Sequence, residues 1–556
     1  MINSGTPLPL ERFYHWEKTH PNKVCFVQPI GGGQTVDYTW AEVCNQVRRI
    51  ATYLKSIGVE KGTNVGIISQ NSAHWIMSDL AIWLVGGVSV PLYSTSTAAS
   101  VEQILKHSQC SVLFVGLVDH WDDIKQLLHE DIQCIALPVC SPNDFNRWND
   151  IIASSVPFEE SPSQLPSDLA TIIYTSGTTG EAKGVMHSYG SLSAGAYRAA
   201  HIYELTAADR ILSYLPLSHV AERMCVELVS IYQGVNVFFV ESQSTFVSDL
   251  RRAKPTLFFA VPRIWAKFQE NVHAKFPEKL LQTLLRVPVV ASILRKKIRA
   301  ELGLTDARLC LSGAAAIPGS LMLWFKTLGI EILETYGMTE NMGYSHCTRV
   351  DRSCLGYVGQ PNPGVDAVLS EKGEVWVRSP SNMLGYYQDP EATADTLDVD
   401  GFIHTGDVGK IESDGSLKIT GRIKDIFKTS KGKYVAPLPI ENILLASTDI
   451  EQVCIMGAGL PQPLALVVLS SVRDEASQCN YSTEIDRDLA LMLKDVNKDL
   501  DPHQKIKSLI VVKAKWSIDN DFLTPTLKIK RHELEAHYRS QLNDWYNSGV
   551  DVLWEQ

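Results

Sequence analysis

The amino-acid sequence predicts an α/β protein: a large N-terminal domain of two doubly wound sheets with a β-barrel-like subdomain, then a small α+β C-terminal domain. Three observations predict it. Short continuous apolar runs alternate with stretches of helical periodicity as far as Asp351. Turn residues then crowd between short strands. The pattern changes again after Gly421–Phe427, GRIKDIF. At 556 residues the chain is too long for one hydrophobic core, and about 150 residues per domain suggests three or four structural units.

Val43, Val47, Ile50 and Leu54 recur at helical spacing, and VGIIS at Val65–Ser69 is the buried strand that follows. Val101, Ile104 and Leu105 suit a second helix, with SVLFVG at Ser111–Gly116 behind it. Further short apolar strands fall at Ile172–Tyr174, Val235–Val240, Leu257–Val261, Leu309–Leu311 and Ile330–Leu333. Continuous apolar strands separated by helices indicate parallel sheets covered on both faces. From 351 to about 420, Gly356, Gly359, Pro361, Pro363, Gly364 and Gly373 punctuate short strands such as EVWVRS, which predicts the antiparallel, barrel-like part. The last unit carries the strands VCIM, ALVVLS and SLIVVKA around a helix with Leu489, Leu493, Val496 and Leu500. The boundary falls in the polar stretch Lys424–Lys433, so the domains are 1–424 and 425–556.

A formal net charge of −11 gives no basic footprint and excludes nucleic acid as the expected partner. The 11 cysteines show neither CxxC pairs nor metal-like Cys/His spacing, which points to free thiols in a reducing compartment. MINSGTPLPLERFYHW has no basic start followed by an apolar stretch, so no signal peptide is read there. The most apolar run, Leu80–Tyr93, is interrupted by two glycines and a proline and is shorter than the roughly 20 residues a spanning helix needs. A cytoplasmic protein is the expectation. Arg286–Arg299, RVPVVASILRKKIR, has two readings: a peripheral contact with the inner membrane face, or a surface helix with solvated cations.

Five motifs carry chemistry. Tyr174–Gly184, YTSGTTGEAKG, follows a buried strand, and its glycines and hydroxyls can aim N–H and O–H groups at phosphate oxygens while Lys183 adds charge. No Gly precedes Lys183, so this is not a Walker A loop, and a P-loop kinase or ATPase is disfavoured. In Glu334–Glu340, ETYGMTE, Tyr336 offers a flat face to a purine, Thr339 a hydroxyl to phosphate and Glu340 a hard oxygen ligand to Mg²⁺. In HTGD at His404–Asp407, the Asp can accept hydrogen bonds from both ribose hydroxyls, or simply form a turn. GRIKD at Gly421–Asp425 and TPTLKIKR at Thr524–Arg531 offer Arg422 and Lys528; alone, Arg422 also reads as a surface salt bridge, and Lys528 more readily as part of a solvated basic face.

Together, in this order and at these separations, the five motifs resemble the adenylate-forming superfamily of acyl-CoA synthetases, firefly-type luciferases and peptide-synthetase adenylation domains. The resemblance extends to YTWAEVCNQVRRIATYL in the N-terminal part. LPLSHVAER at Leu215–Arg223, AVPRIW at Ala260–Trp265 and LTPTLKIKR resemble the long-chain and very-long-chain fatty acyl-CoA synthetases. Leu527 stands where most of the superfamily has Gly before the lysine. APLPIEN at Ala436–Asn442 lacks the acidic residue usual near Leu438.

The resemblance implies ATP-dependent activation of a carboxylic acid, in this branch a long-chain fatty acid, to acyl-AMP with release of pyrophosphate, then transfer to CoA. It implies ATP and Mg²⁺, with CoA as acceptor. Thr175, Ser176, Gly177, Thr178, Thr179, Gly180 and Lys183 would hold the departing phosphates. Gly313, Ala314 and Ala315 would form one wall of the adenine site and Tyr336 the other, with Glu334 at the adenine edge and Thr335, Gly337 and Met338 completing the nucleotide pocket. Thr339 would touch the α-phosphate, Glu340 bind Mg²⁺, Asp407 and Arg422 hold the ribose, and Lys528 bridge the carboxylate and the α-phosphate. His219 would line the acyl or nucleotide pocket, or else be a core histidine capping a helix. The C-terminal domain would be mobile, turning about Asp425 to withdraw Lys528 and bring Gly432 to the thiol. The rival readings are a ligase loading a carrier protein, a CoA ligase for an aryl or medium-chain acid, and a protein that only binds an acyl-adenylate or lipid. A monomer or homodimer is expected.

Overall fold

The computed structural model describes residues 6–128, 131–176, 182–350, 354–447, 449–470, 482–524 and 527–555. Its largest sheet has eight strands, ordered Gly385–Tyr386, Ala182–Ser188, Leu169–Ser176, Val88–Leu92, Asn64–Ile68, Val112–Val115, Gln133–Ala136 and Asn146–Arg147. The six from Leu169–Ser176 onward run parallel; the first two are antiparallel additions at one edge. Helices Trp40–Ser56, Ala73–Leu84 and Ala98–Ser108 cover it. Ala73–Leu84 is buried all round and is accordingly apolar except at His74, Ser78 and Asp79. The apolar run Leu80–Tyr93 is therefore the end of this helix, a glycine turn and the strand Val88–Leu92.

The second layer is divided between two mixed sheets. One orders Arg210–Ser213, Asn236–Phe239, Val24–Gly31 and Gln34–Thr39. The other runs Leu257–Ala260, Leu309–Ser312 and Ile332–Tyr336 in parallel, then His346–Cys347 and Gln360–Pro361 antiparallel. The turn-rich part forms an antiparallel sheet of four strands in linear order, Asp366–Leu369, Glu374–Arg378, Ile403–Ile411 and Leu417–Arg422.

Beyond it, Ile450–Met456, Leu464–Leu469, Leu509–Val511 and Val552–Trp554 form a separate four-stranded sheet. Every residue of Leu464–Leu469 is buried, because Ser482–Lys498 covers one face and Arg531–Tyr538 the other. Among the described residues no apolar cluster spans the segment between Ile419 and Phe427. An ion pair, Arg263 to Glu451 at 2.5 Å, helps to join the parts. The described cysteines are all free. No helix among the described residues is long and apolar enough to cross a membrane.

Candidate active site

Strand Leu169–Ser176 leads into the Gly/Ser/Thr loop. Gly177, Thr178, Thr179 and Gly180 lie outside the described residues, as does the side chain of Ser176. The return strand Ala182–Ser188 pairs Lys183 with Thr175. The Lys183 ammonium lies 5.0 Å from the centroid of the Tyr386 ring. The Tyr386 hydroxyl donates to Glu340 Oε1 at 2.7 Å, and the Met383 N–H donates to the Glu340 carbonyl at 2.7 Å. One tyrosine thus ties Lys183, the candidate phosphate-binding lysine, to the candidate metal carboxylate.

The parallel pair Leu309–Ser312 and Ile332–Tyr336 brings Gly313–Ala315 and Tyr336 together at its C-terminal end, where open α/β sheets present their ligands. A Cβ on Gly313 would meet Thr335 Oγ1 at 2.5 Å, so the close approach of these strand ends requires glycine. Ala314 follows with φ +65°, a left-handed conformation uncommon for a residue with a Cβ. Gly337 meets a stricter limit: a Cβ would lie 2.4 Å from the Gly343 backbone. Glu334 is only 4% exposed, its Oε2 has no hydrogen-bond partner, and burial pushes its carboxyl up to about 7. That unpartnered buried oxygen fits the edge of a base.

Tyr336 donates its hydroxyl to Asp407 Oδ2 at 2.6 Å. Register places Asp407 opposite Arg422, with Arg422 Nε 3.8 Å from Asp407 Oδ1. Burial raises the Asp407 pKa, and Arg422, Tyr336 and Lys528 oppose it. The Met338 N–H donates to Asn341 Oδ1 at 2.9 Å, which closes the 3₁₀ turn Thr339–Asn341 and orients Thr339 and Glu340.

Lys528, in the C-terminal part, is electrostatically coupled to Asp407, Arg422 and Glu340. Its loop is pinned by Lys528 N–H to Thr524 Oγ1 at 3.1 Å and by Thr524 N–H to the Lys528 carbonyl at 2.8 Å. Leu527 takes φ +62°. Lys528 is exposed to solvent. The surrounding protein still lowers its ammonium pKa, first by desolvation, then by the like charge of Arg422, against the opposite pull of Asp407 and Glu340. His219 feels the same cation: burial and Lys528 push its imidazole down to about 3. His219 Nδ1 accepts from the Ala221 N–H at 3.2 Å and caps Val220–Glu222, so the neutral ring carries its proton on Nε2. The two readings of His219, helix cap and pocket residue, are thus compatible.

Behind His219 the chain is anchored by buried polar and charged groups. Glu222 accepts from Ser213 Oγ at 2.8 Å and the Tyr214 N–H at 2.9 Å, and burial lifts its carboxyl to about 8. Arg223 pairs with Asp79, and with Glu227 at 3.0 Å, all three wholly buried, as the chain enters the π-helix Arg223–Leu228. Asp425 ends the short 3₁₀ turn Ile423–Asp425. Gly432 lies in the turn between Phe427–Lys428 and Tyr434–Val435, with φ +78°. No contact among the described residues brings it to the Lys528 cluster.

Sequence reasoning missed His187 and Tyr386. His187 is fully buried; its Nε2–H donates to the Thr339 carbonyl at 2.7 Å, its Nδ1 lies 3.1 Å from Ser191 Oγ, and burial pushes its pKa down to about 4. It sits four residues after Lys183 on one strand, hence on the same face, and this spacing was its only signal. Tyr386 has none, being some two hundred positions from Lys183 in the chain.

A family model described as AMP-binding enzyme matches residues 13–387, and one described as AMP-binding enzyme C-terminal domain matches 424–549. The chain belongs to the AMP-binding enzymes. Relatives run the length of this AMP-binding enzyme. The long-chain-fatty-acid–CoA ligase FadD15 of Mycobacterium bovis is 30% identical, covering 96% of this chain and 96% of the relative. Long-chain-fatty-acid–CoA ligase 1 of Homo sapiens is 28% identical over 92% of this chain and 83% of its own. Among solved structures, the anthranilate CoA ligase AuaEII in complex with anthranoyl-AMP superposes with a TM-score of 0.78 at 20% identity, covering 96% of this chain and 98% of its own. The A domain of carboxylic acid reductase from Segniliparus rugosus, in complex with AMP and a co-purified carboxylic acid, gives 0.80 at 20%, covering 99% and 95%. These two show the fold. Among the described residues no group of three His, Cys, Asp or Glu side chains could cage a metal. A lone Glu340 carboxylate fits Mg²⁺, which is commonly held by one or two carboxylates together with substrate phosphates.

Proposed function

We propose that this AMP-binding enzyme is an acid–thiol ligase that converts a long-chain fatty acid, ATP and CoA to acyl-CoA, AMP and pyrophosphate. A carboxylate is a poor acyl donor because its leaving group would be oxide. Its oxygen therefore attacks the α-phosphorus of ATP, the bond to the bridging β-phosphate oxygen breaks, and acyl-AMP remains. The thiol sulfur then attacks the acyl carbonyl, AMP departs, and the thiol proton passes to solvent.

The side chains position charge rather than form bonds. Lys183 receives the departing phosphates. Thr339 lies against the α-phosphate. Asp407 and Arg422 hold the ribose, with Tyr336 fixed between Asp407 and the base. Lys528 bridges the incoming carboxylate and the α-phosphate; its lowered pKa reflects desolvation and the like charge of Arg422, which Asp407 and Glu340 offset only in part. Mg²⁺ at Glu340 would neutralise phosphate charge. Neutral His219 lines the pocket beside Lys528. The second step requires that Lys528 leave, and a turn at Asp425 would withdraw it and bring Gly432 round.

The observation that carries this reading is the pair of linked contacts Tyr336–Asp407–Arg422 and Lys183–Tyr386–Glu340, to which Lys528 of the C-terminal part is electrostatically coupled. It is tested on Lys528→Ala. Acid-dependent ATP–pyrophosphate exchange is expected to fall by at least about a hundredfold, with thioester formation from supplied acyl-AMP within a few fold of normal. Equal loss of both half-reactions would remove Lys528 from the adenylation step.

A further inference from the structure

The segment Glu278–Glu301 forms two helices, Glu278–Leu285 and Pro288–Glu301, inserted between the strands Leu257–Ala260 and Leu309–Ser312. The second helix has two apolar faces where an ordinary surface helix has one. Ala291, Leu294 and Ile298 form the inward stripe, and Leu294 and Ile298 join the core. At 100° per residue, Val289 and Ile293 lie on the opposite side, and Lys296 and Lys297 continue that side one turn on. Val289 is 72% and Ile293 66% exposed, and Val287 in the lead-in turn is 50% exposed. Such a concentration of bare aliphatic side chains costs solubility unless something covers it.

The charge around it points to what does. Arg286–Arg299 holds five cations and no acid, in a chain of net charge −11. Arg286, Lys296 and Lys297 are exposed and form no ion pair among the described residues. Arg295 donates to the Thr327 carbonyl at 2.8 Å, and Glu301 at the far end is taken by Lys275 at 2.6 Å. The outer face has no aromatic side chain of the kind that anchors protein interfaces. Aliphatic residues ringed by free cations match hydrocarbon beneath a layer of lipid phosphates.

We propose that the outer face of Pro288–Glu301, with Arg286 and Val287, docks on an anionic lipid bilayer. Val287, Val289 and Ile293 enter the boundary between headgroups and acyl chains, and Arg286, Lys296 and Lys297 meet the phosphates. The contact is peripheral and salt-sensitive, and it stands independently of which acid the enzyme activates.

The test is flotation of the full chain with phosphatidylcholine vesicles, with and without phosphatidylglycerol, at low and high salt, in the absence of ATP and acid. The wild type is expected to float with the anionic vesicles at low salt and to be released by salt. Val289→Ser/Ile293→Ser weakens binding about tenfold, and Lys296→Glu/Lys297→Glu at least about twentyfold, each cation near an anionic surface contributing about fivefold. Val399→Ser, an exposed aliphatic elsewhere, binds as wild type. All variants keep wild-type turnover of a short, water-soluble acid, which reports folding. The proposal is overturned if the wild type ignores anionic vesicles at low salt or if the variants float equally well. It is also overturned if Val289→Ser/Ile293→Ser turns a lipid-free dimer into a monomer, which would assign the face to a second copy of the chain.

Discussion

Replacing His187 by leucine removes the donor that holds the Thr339 carbonyl while keeping nearly the same volume. Both groups are buried and 2.7 Å apart, so the variant leaves a buried carbonyl unpaired, at about 1–3 kcal/mol. The Thr339–Asn341 turn can escape that cost by tilting the carbonyl toward water, which carries Thr339 and Glu340 off the phosphates. If the deficit appears in the transition state, adenylation slows between about fivefold and 150-fold. Acid-dependent ATP–pyrophosphate exchange measures it directly: kcat falls while the KM of the acid holds. Two rescues separate positioning from mere packing. Gln places an amide near the imidazole Nε2 and can again donate to Thr339; Asn places one near Nδ1 and cannot. Gln should recover most of the rate and Asn should not. Wild-type exchange in the leucine variant, or equal failure of Gln and Asn, would refute the role.

Three further outcomes follow from the same geometry. His187→Gln also removes a group whose folded pKa, about 4, lies below its unfolded value, so that in the wild type its contribution is full above about pH 6.5 and is lost as pH falls toward 4. From pH 7 to pH 5 the variant's unfolding free energy should therefore shift by about 2 kcal/mol in its favour relative to wild type, as read by urea titration; a constant difference would contradict burial of a neutral ring. At Leu527, with φ +62°, Leu527→Gly should be about 1 kcal/mol more stable than Leu527→Ala, whereas at an ordinary position alanine would be at least as stable. Tyr386→Phe keeps the ring under Lys183 but frees Glu340 Oε1, so the Mg²⁺ concentration for half-maximal exchange should move by up to about tenfold; an unchanged Mg²⁺ dependence would separate Glu340 from the metal.

What the sequence made legible follows from how local each signal is. Val65–Ser69 and Ser111–Gly116 stand out because interior parallel strands are buried on both faces and need no alternation. The hairpin Val24–Gly31 and Gln34–Thr39 went unread: its second strand is half-buried to exposed throughout and its register is interrupted twice by bulges. The site motifs were visible because backbone approach dictates glycine at Gly313 and Gly337. Long-range partners were not. Arg223 and Asp79 are 144 residues apart and read as surface charges until the fold buries them together. His187 looks like one more residue of a strand until Thr339 is brought beside it. The exposed face of Pro288–Glu301 was ambiguous for a different reason: periodicity shows two apolar stripes without saying which one the core takes.

The central claim is that this chain adenylates a fatty acid and hands it to CoA. Pyrophosphate release with ATP and Mg²⁺, across acids from acetate to oleate and including benzoate, each with and without CoA, tests it most directly. The account predicts release that rises with chain length and conversion of the adenylate to thioester when CoA is added. Release with benzoate but not oleate, or release that CoA leaves unchanged, would contradict it.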